Sequence, residues 1–209
     1  MRLTVVATCL LSISMVVCAR AQTERSDVVS GVLSTSREER LRTRDKMIRY
    51  RLEVASELLK ILDQPWEKDF SSGTVTAITI LGMWAEPRAI PVLVKNIDME
   101  FPAPEGSYSG DNFLCVEALI SIGGVRVREA VIAEIPRHSS NPRVLGLIAL
   151  ILQQIDRRQV AERVLDDCIE SATSDEHKAT LQKVRLYLDP KKRLQEAFGP
   201  SKHRDVRKK

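Results

Sequence analysis

Residues 74–97 read TVTAITILGMWAEPRAIPVLVKNI, two apolar runs of helical length parted by Trp-Ala-Glu-Pro. Two more runs like the first follow, CVEALISIG around Ala118 and GLIALILQQ around Ala149. All three align without gaps. Val75, Val116 and Leu147 share one position, and Ile78, Leu119 and Leu150 another. From Ala77 to Ala118 to Ala149 the spacings are 41 and 31 residues, and a second set, Ala89, Ala130 and Ala161, repeats them. Because both helices shift together, the predicted unit is a helical hairpin of about 31 residues, with ten extra residues between the first two copies. The extra residues lie within MEFPAPEGSYSGD, 99–111. Apolar positions at i, i+3 and i+4 bury one face of each helix, and the first helix of each copy is so apolar that it needs cover on both sides.

Paired helices recurring at such a period are the signature of an α-solenoid. The residues resemble HEAT-like repeats in the A-x-x-x-L-G ending of the first helix, Ala77 to Gly82, and the E-P-R-A-I-P-V-L opening of the second, Glu86 to Leu93. The second copy keeps ALISIG and VREAVI; the third has Gln153 and Gln154 in place of Leu-Gly. Glu134 falls where the second helix of the first copy has Leu93, which suggests a one-residue slip of that helix. The resemblance covers about 74–172. It implies an all-α fold, an α-solenoid of antiparallel hairpins whose second helices line a concave surface.

The flanks supply cover. A capping box of Ser36 and Glu39 opens a long predicted helix striped by Leu41, Ile48, Leu52, Ala55, Leu59 and Leu62, with Arg37, Arg40, Arg42, Arg44, Lys46, Arg49 and Arg51 on its other faces. It reads as an N-terminal cap, or as a coiled-coil seam barely three heptads long; a monomer is expected. Thr173 and Glu176 form a second capping box, and Asp189-Pro190 starts a short last helix ended by Gly199-Pro200. The expected organisation is a signal peptide over 1–21, a linker over 22–35, the helical domain over 36–198 and a basic disordered tail over 199–209.

The signal rests on Arg2, an apolar stretch over 3–18 and Ala19-Arg20-Ala21, an A-x-A cleavage site. A retained anchor is the alternative. Cleavage would remove Cys9 and Cys18, leaving Cys115 and Cys168 inside apolar helical patterns, as buried free thiols or as a disulfide. Arg2 and Arg20 would leave too, taking the formal charge from +4 to +2. Residues 190–209 carry a net +6, so the body over 22–189 is about −4. Positive charge concentrated in a tail does not suit a nucleic-acid binder, whose folded surface would carry it. Lys202, Arg204, Arg207, Lys208 and Lys209 would hold the tail weakly to an anionic envelope surface, or serve only solubility.

No reactive constellation is expected. His138, His177 and His203 share no ligand spacing, so no metal and no cofactor is predicted. The adjacent pairs Asp166-Asp167 and Glu38-Glu39 diverge on a helix, unlike facing catalytic carboxylates. No nucleophile elbow or phosphate loop occurs, and no catalytic residue is assigned. Two places remain for recognition. One is the inserted loop, with Phe101, Pro104, Tyr108 and Asp111 at an exposed rim; a tolerated insertion is the alternative. The other is a basic concave face of second helices, with Arg88, Lys95, Arg126, Arg128, Arg157 and Arg158, or else a solvated face of mixed charge. The expected function is an exported protein-binding or scaffolding module, periplasmic or extracellular, with an unidentified protein partner. A HEAT-like lyase enzyme and an envelope-bound structural protein are the rivals. The native protein should have the intact mass of a chain beginning at Gln22; a mass that includes residues 1–21 would contradict cleavage.

Overall fold

The computed structural model describes residue 23 and residues 26–31, 33–34, 37–64, 72–101 and 113–198. Every regular element among them is helical, as the pattern predicts, and Phe101 is an isolated bridge residue. The chain forms two compact units, Met1–Ala77 and Ile78–Lys209. The signal segment and the tail, 199–209, lie outside the described residues.

In the first unit, α1 covers residues 26–31, α2 Arg37–Arg49 and α3 Arg51–Leu62, and α4, Ser72–Met83, begins. The single long helix expected from 36 to 62 is two helices, because the backbone leaves helical dihedrals at Tyr50 (φ −107°, ψ 28°). Its stripe is also partly wrong. Ile48 and Leu52 are 73% and 69% exposed, while α3 buries Val54, Ala55, Leu58 and Leu62. Residues 54, 58 and 62 are four apart and share one face, which turns the expected stripe toward Val54 and Leu58. In α2, Glu38 and Glu39 stand in the first turn and Lys46 and Arg49 in the last, the order that the helix dipole favours. Glu39 accepts from Ser34 Oγ at 2.6 Å; its expected partner Ser36 lies outside the described residues.

After α4 come a 3-10 turn, Pro87–Ala89, and then α5 (Ile90–Lys95), α6 (Leu114–Ile122) and α7 (Gly124–Glu134). Next are α8 (Pro142–Ile155), α9 (Arg158–Ser171), α10 (Asp175–Tyr187) and α11 (Pro190–Lys192), which continues as a π turn, Arg193–Ala197. Local chemistry sets the starts. Glu86 accepts from Arg88 N, Asn141 from Val144 N and Asp189 from Lys191 N, each followed by a proline that needs no N–H partner. The cap of α10 is Ser174, which accepts from His177 N, one residue beyond the expected Thr173. Gly123 (φ +60°) ends α6 and Gly124 (φ +78°) opens α7, dihedrals that favour glycine.

Helix α8 buries Val144, Leu145, Gly146, Leu147, Ile148, Ala149, Ile151 and Leu152, residues that go right round its circumference. It packs against α6, α7, α9, α10 and the π turn. Ala118 and Ala149 are buried within α6 and α8, and Ala77 within α4. The second helices keep a different register from the expected one. Val127, Val131 and Ile135 are buried while Ala130 is only half-buried, and they correspond to Ala89, Leu93 and Ile97 and to Ala161 and Leu165. The spacings are then 38 and 34, a slip of three residues rather than one. Turning Ala130 inward would bring Glu134, four residues on, inward with it.

Close approach depends on small residues. A Cβ on Gly82 would lie 2.8 Å from Ala118 Cα and 2.9 Å from its Cβ, and one on Gly146 would lie 2.7 Å from Ala197 Cβ. Gly82→Ala should therefore destabilise by about 1–3 kcal/mol through overpacking, even though alanine gains roughly 1 kcal/mol in helix propensity. Urea unfolding followed by circular dichroism measures this; a neutral or stabilising outcome would mean that the two helices separate freely.

Candidate functional site

In the Ile78–Lys209 unit the two edges of the helical layers are built differently. At the edge where α6 and α8 begin, Arg143 in the first turn of α8 pairs with Glu100 and lies over the ring of Phe113, 5.0 Å from its centroid. Phe113 is the N-cap of α6, so the starts of α6 and α8 stand side by side. The insertion enters here. Phe101, expected at an exposed rim, is only 4% exposed. Burying its ring stabilises the edge more than exposing it would. Pro104, Tyr108 and Asp111 lie outside the described residues.

The opposite edge holds the turns that leave α6, α8 and α10. Arg128 in α7 donates from Nη1 to both oxygens of Asp156, at 3.2 and 3.1 Å, and Asp156 is the C-cap of α8. Arg193, only 8% exposed, donates from Nη1 to Gln153 Oε1 at 2.9 Å and to Tyr187 O at 3.2 Å. Gln153 lies near the end of α8 and Tyr187 ends α10, so one guanidinium ties the two helix ends together. Burial lowers the Arg193 pKa, and Asp189 pushes the other way. A cation is well placed at the carboxyl ends of two helices. The Lys191 backbone N–H holds the Asp189 carboxyl below its ordinary value, and Arg158 nearby acts in the same direction.

These contacts relocate the expected basic face. Arg88 lies in the turn before α5, paired with Glu86 at 2.8 Å, whereas Lys95 is exposed at the far end of α5. Arg126 is exposed in the first turn of α7, and Arg157 is the exposed N-cap of α9. Arg158 pairs with Glu162 at 2.8 Å. Arg126, Arg128 and Arg158 thus stand in second helices, but gathered with the cap Arg157 at the starting ends of α7 and α9. The sequence reading missed Val125, Val160 and Leu194, which are 54%, 39% and 62% exposed at the same turns, and the exposed Lys191 and Lys192. Aliphatic residues inside a helical pattern look like core. The signal that could have found Val125 and Val160 is their place beside a Gly-Gly or Arg-Arg turn.

Among the described residues no group of three or more His, Cys, Asp or Glu could hold a metal ion, and no helix is long and apolar enough to cross a membrane. Cys115 and Cys168 are free; the first is buried and the second half-buried. Burial, with a smaller contribution from Asp98, pushes the Cys115 thiol up to about 12. Burial and Asp167 also raise Cys168. Both are poor thiolates near neutral pH, unsuited to nucleophilic attack. Compared with known proteins, the chain matches no family model, no curated protein and no solved structure. Iodoacetamide treatment of the native chain, read by peptide mapping, should modify Cys168 well before Cys115. Equal rates would contradict the burial of Cys115.

Proposed function

We propose that the chain is an exported HEAT-like α-solenoid that works as a protein-binding or scaffolding module outside the cytoplasm. Three features support the solenoid: the recurring apolar runs, the buried alanines of successive first helices and the side-by-side starts of α6 and α8. The observation that carries the binding function is the edge where Val125, Val160 and Leu194 stand exposed among Arg126, Arg157, Lys191 and Lys192. Aliphatic side chains left in water beside exposed cations fit a contact surface better than a reaction centre. A repeat surface without a reactive cluster acts through contacts. The tail cations, Lys202, Arg204, Arg207, Lys208 and Lys209, would add weak, salt-sensitive attachment to an anionic envelope surface.

The immobilised full chain should retain a protein from an envelope extract of its own source, and free chain should compete that protein off. Retention no greater than by an unrelated protein of similar charge would overturn the binding reading.

A further inference from the structure

We propose that the turn edge of the Ile78–Lys209 unit docks an extended acidic polypeptide segment with aliphatic side chains between its carboxylates. This rests on the protein-binding reading above and names the surface and the chemistry of its partner. Among the described residues of this unit, the large aliphatic side chains left exposed are Met83, Val125, Val160 and Leu194. Met83 ends α4, Val125 and Val160 stand in the first turns of α7 and α9, and Leu194 lies in the π turn after α11. At the starts of α7 and α9 the exposure therefore recurs from one hairpin to the next. A recurring exposed aliphatic is what a chain running across successive turns would contact.

Charge selects the occupant. Arg126, Arg157, Lys191 and Lys192 are exposed and make no ion pair among the described residues, while Arg128 and Arg158 beside them hold Asp156 and Glu162. The Arg128–Asp156 pair, one guanidinium nitrogen donating to both carboxylate oxygens, shows the geometry an incoming carboxylate would adopt on Arg126 or Arg157. An anionic bilayer fits less well. Asp156, Glu162 and Asp189 stand among the cations and would face a uniformly negative plane, whereas a peptide places each carboxylate beside a cation. Two valines and a leucine also provide little of the bulky apolar face that inserts into headgroups.

Packed helices lie about 10 Å apart and an extended chain advances roughly 3.3 Å per residue, so about three peptide residues span each hairpin. The probe is accordingly a fluorescent peptide of Glu-Glu-Val repeats, about a dozen residues long. Lys-Lys-Val and Glu-Glu-Ser repeats, and vesicles of phosphatidylcholine with phosphatidylglycerol, serve for comparison. Binding to the full chain is read by anisotropy for the peptides and by co-sedimentation for the vesicles. The Glu-Glu-Val peptide should bind saturably, more tightly than either other repeat. Arg126→Glu with Arg157→Glu should weaken it by about tenfold or more, equivalent to at least about 1.4 kcal/mol. Val125→Ser with Leu194→Ser should weaken it less, and Lys95→Glu with Lys178→Glu, an equal change of charge at the opposite edge, by less than about twofold. Far-ultraviolet spectra of wild-type helix content are required of each variant, and since all six positions are surface or half-buried, folding should survive.

Equal losses for the two charge variants would overturn the inference, as would absent or non-saturable binding or preference for the Lys-Lys-Val peptide. Vesicle binding abolished by the Arg126 and Arg157 changes, with no peptide binding, would assign the edge to lipid instead. An envelope protein still retained by the edge variants would overturn this edge and leave the protein-binding reading standing. Peptide binding at the edge with no protein retained would do the reverse.

Discussion

A helix that is apolar around its whole circumference cannot lie at a surface, and α8 is such a helix. Leu145, Ile148 and Leu152 need neighbours as much as Val144, Leu147 and Ile151 do, since each fully buried aliphatic side chain contributes roughly 1.5–3 kcal/mol only where water is excluded. The arrangement of α6, α7, α9, α10 and the π turn around it follows from that need. The helices outside it can afford charged outer faces because α8 takes the central place. Arg158, Glu162 and Asp166 on α9, and Arg185 on α10, fall on such faces, and Arg185 and Asp166 pair across the two helices.

Enclosing an apolar helix leaves its ends as a separate problem, because the last carbonyls have no partners within the helix. Guanidinium groups stand at two of these ends, and one of them reaches a carbonyl. Arg128 holds the C-cap Asp156, and Arg193, largely withdrawn from water, joins Gln153 to the last carbonyl of α10. The other edge is closed by Arg143 between Glu100 and Phe113. Arginine is suited to this work because its planar fork reaches two acceptors while its stem covers apolar surface.

Periodicity made the helices legible in the sequence where burial is one-sided or complete. The runs around Ala77, Ala118 and Ala149 are helices, and the caps at Glu86 and Asp189 follow from an acid before a proline. The reading failed where two faces compete. In 36–62 both the Ile48–Leu52 stripe and the Val54–Leu58 face are apolar, and only packing decides between them. In α7 the alanine that aligned by spacing yielded to Val127, because the inward face must also exclude Glu134. Of the candidate site, the arginines were legible as residues, and Arg126, Arg128 and Arg158 as parts of second helices, but their gathering at the starting ends was not. Turn geometry places them, and spacing along the chain does not encode which edge a turn occupies. Phe101 was misplaced for a related reason: proline and glycine after it mark a loop, but do not tell where the aromatic before them points.

The contacts at Gly82 and Gly146 bear on how such a chain can change over time. A side chain at residue 82 would meet the backbone Cα of residue 118 as well as its Cβ, whereas one at residue 146 would meet first the Cβ of residue 197. Trimming residue 118 would not make room at 82, while trimming residue 197 would remove the closest contact at 146. Residue 146 can therefore change together with its partner side chain, but residue 82 is held by main chain and can change only if the helix itself moves.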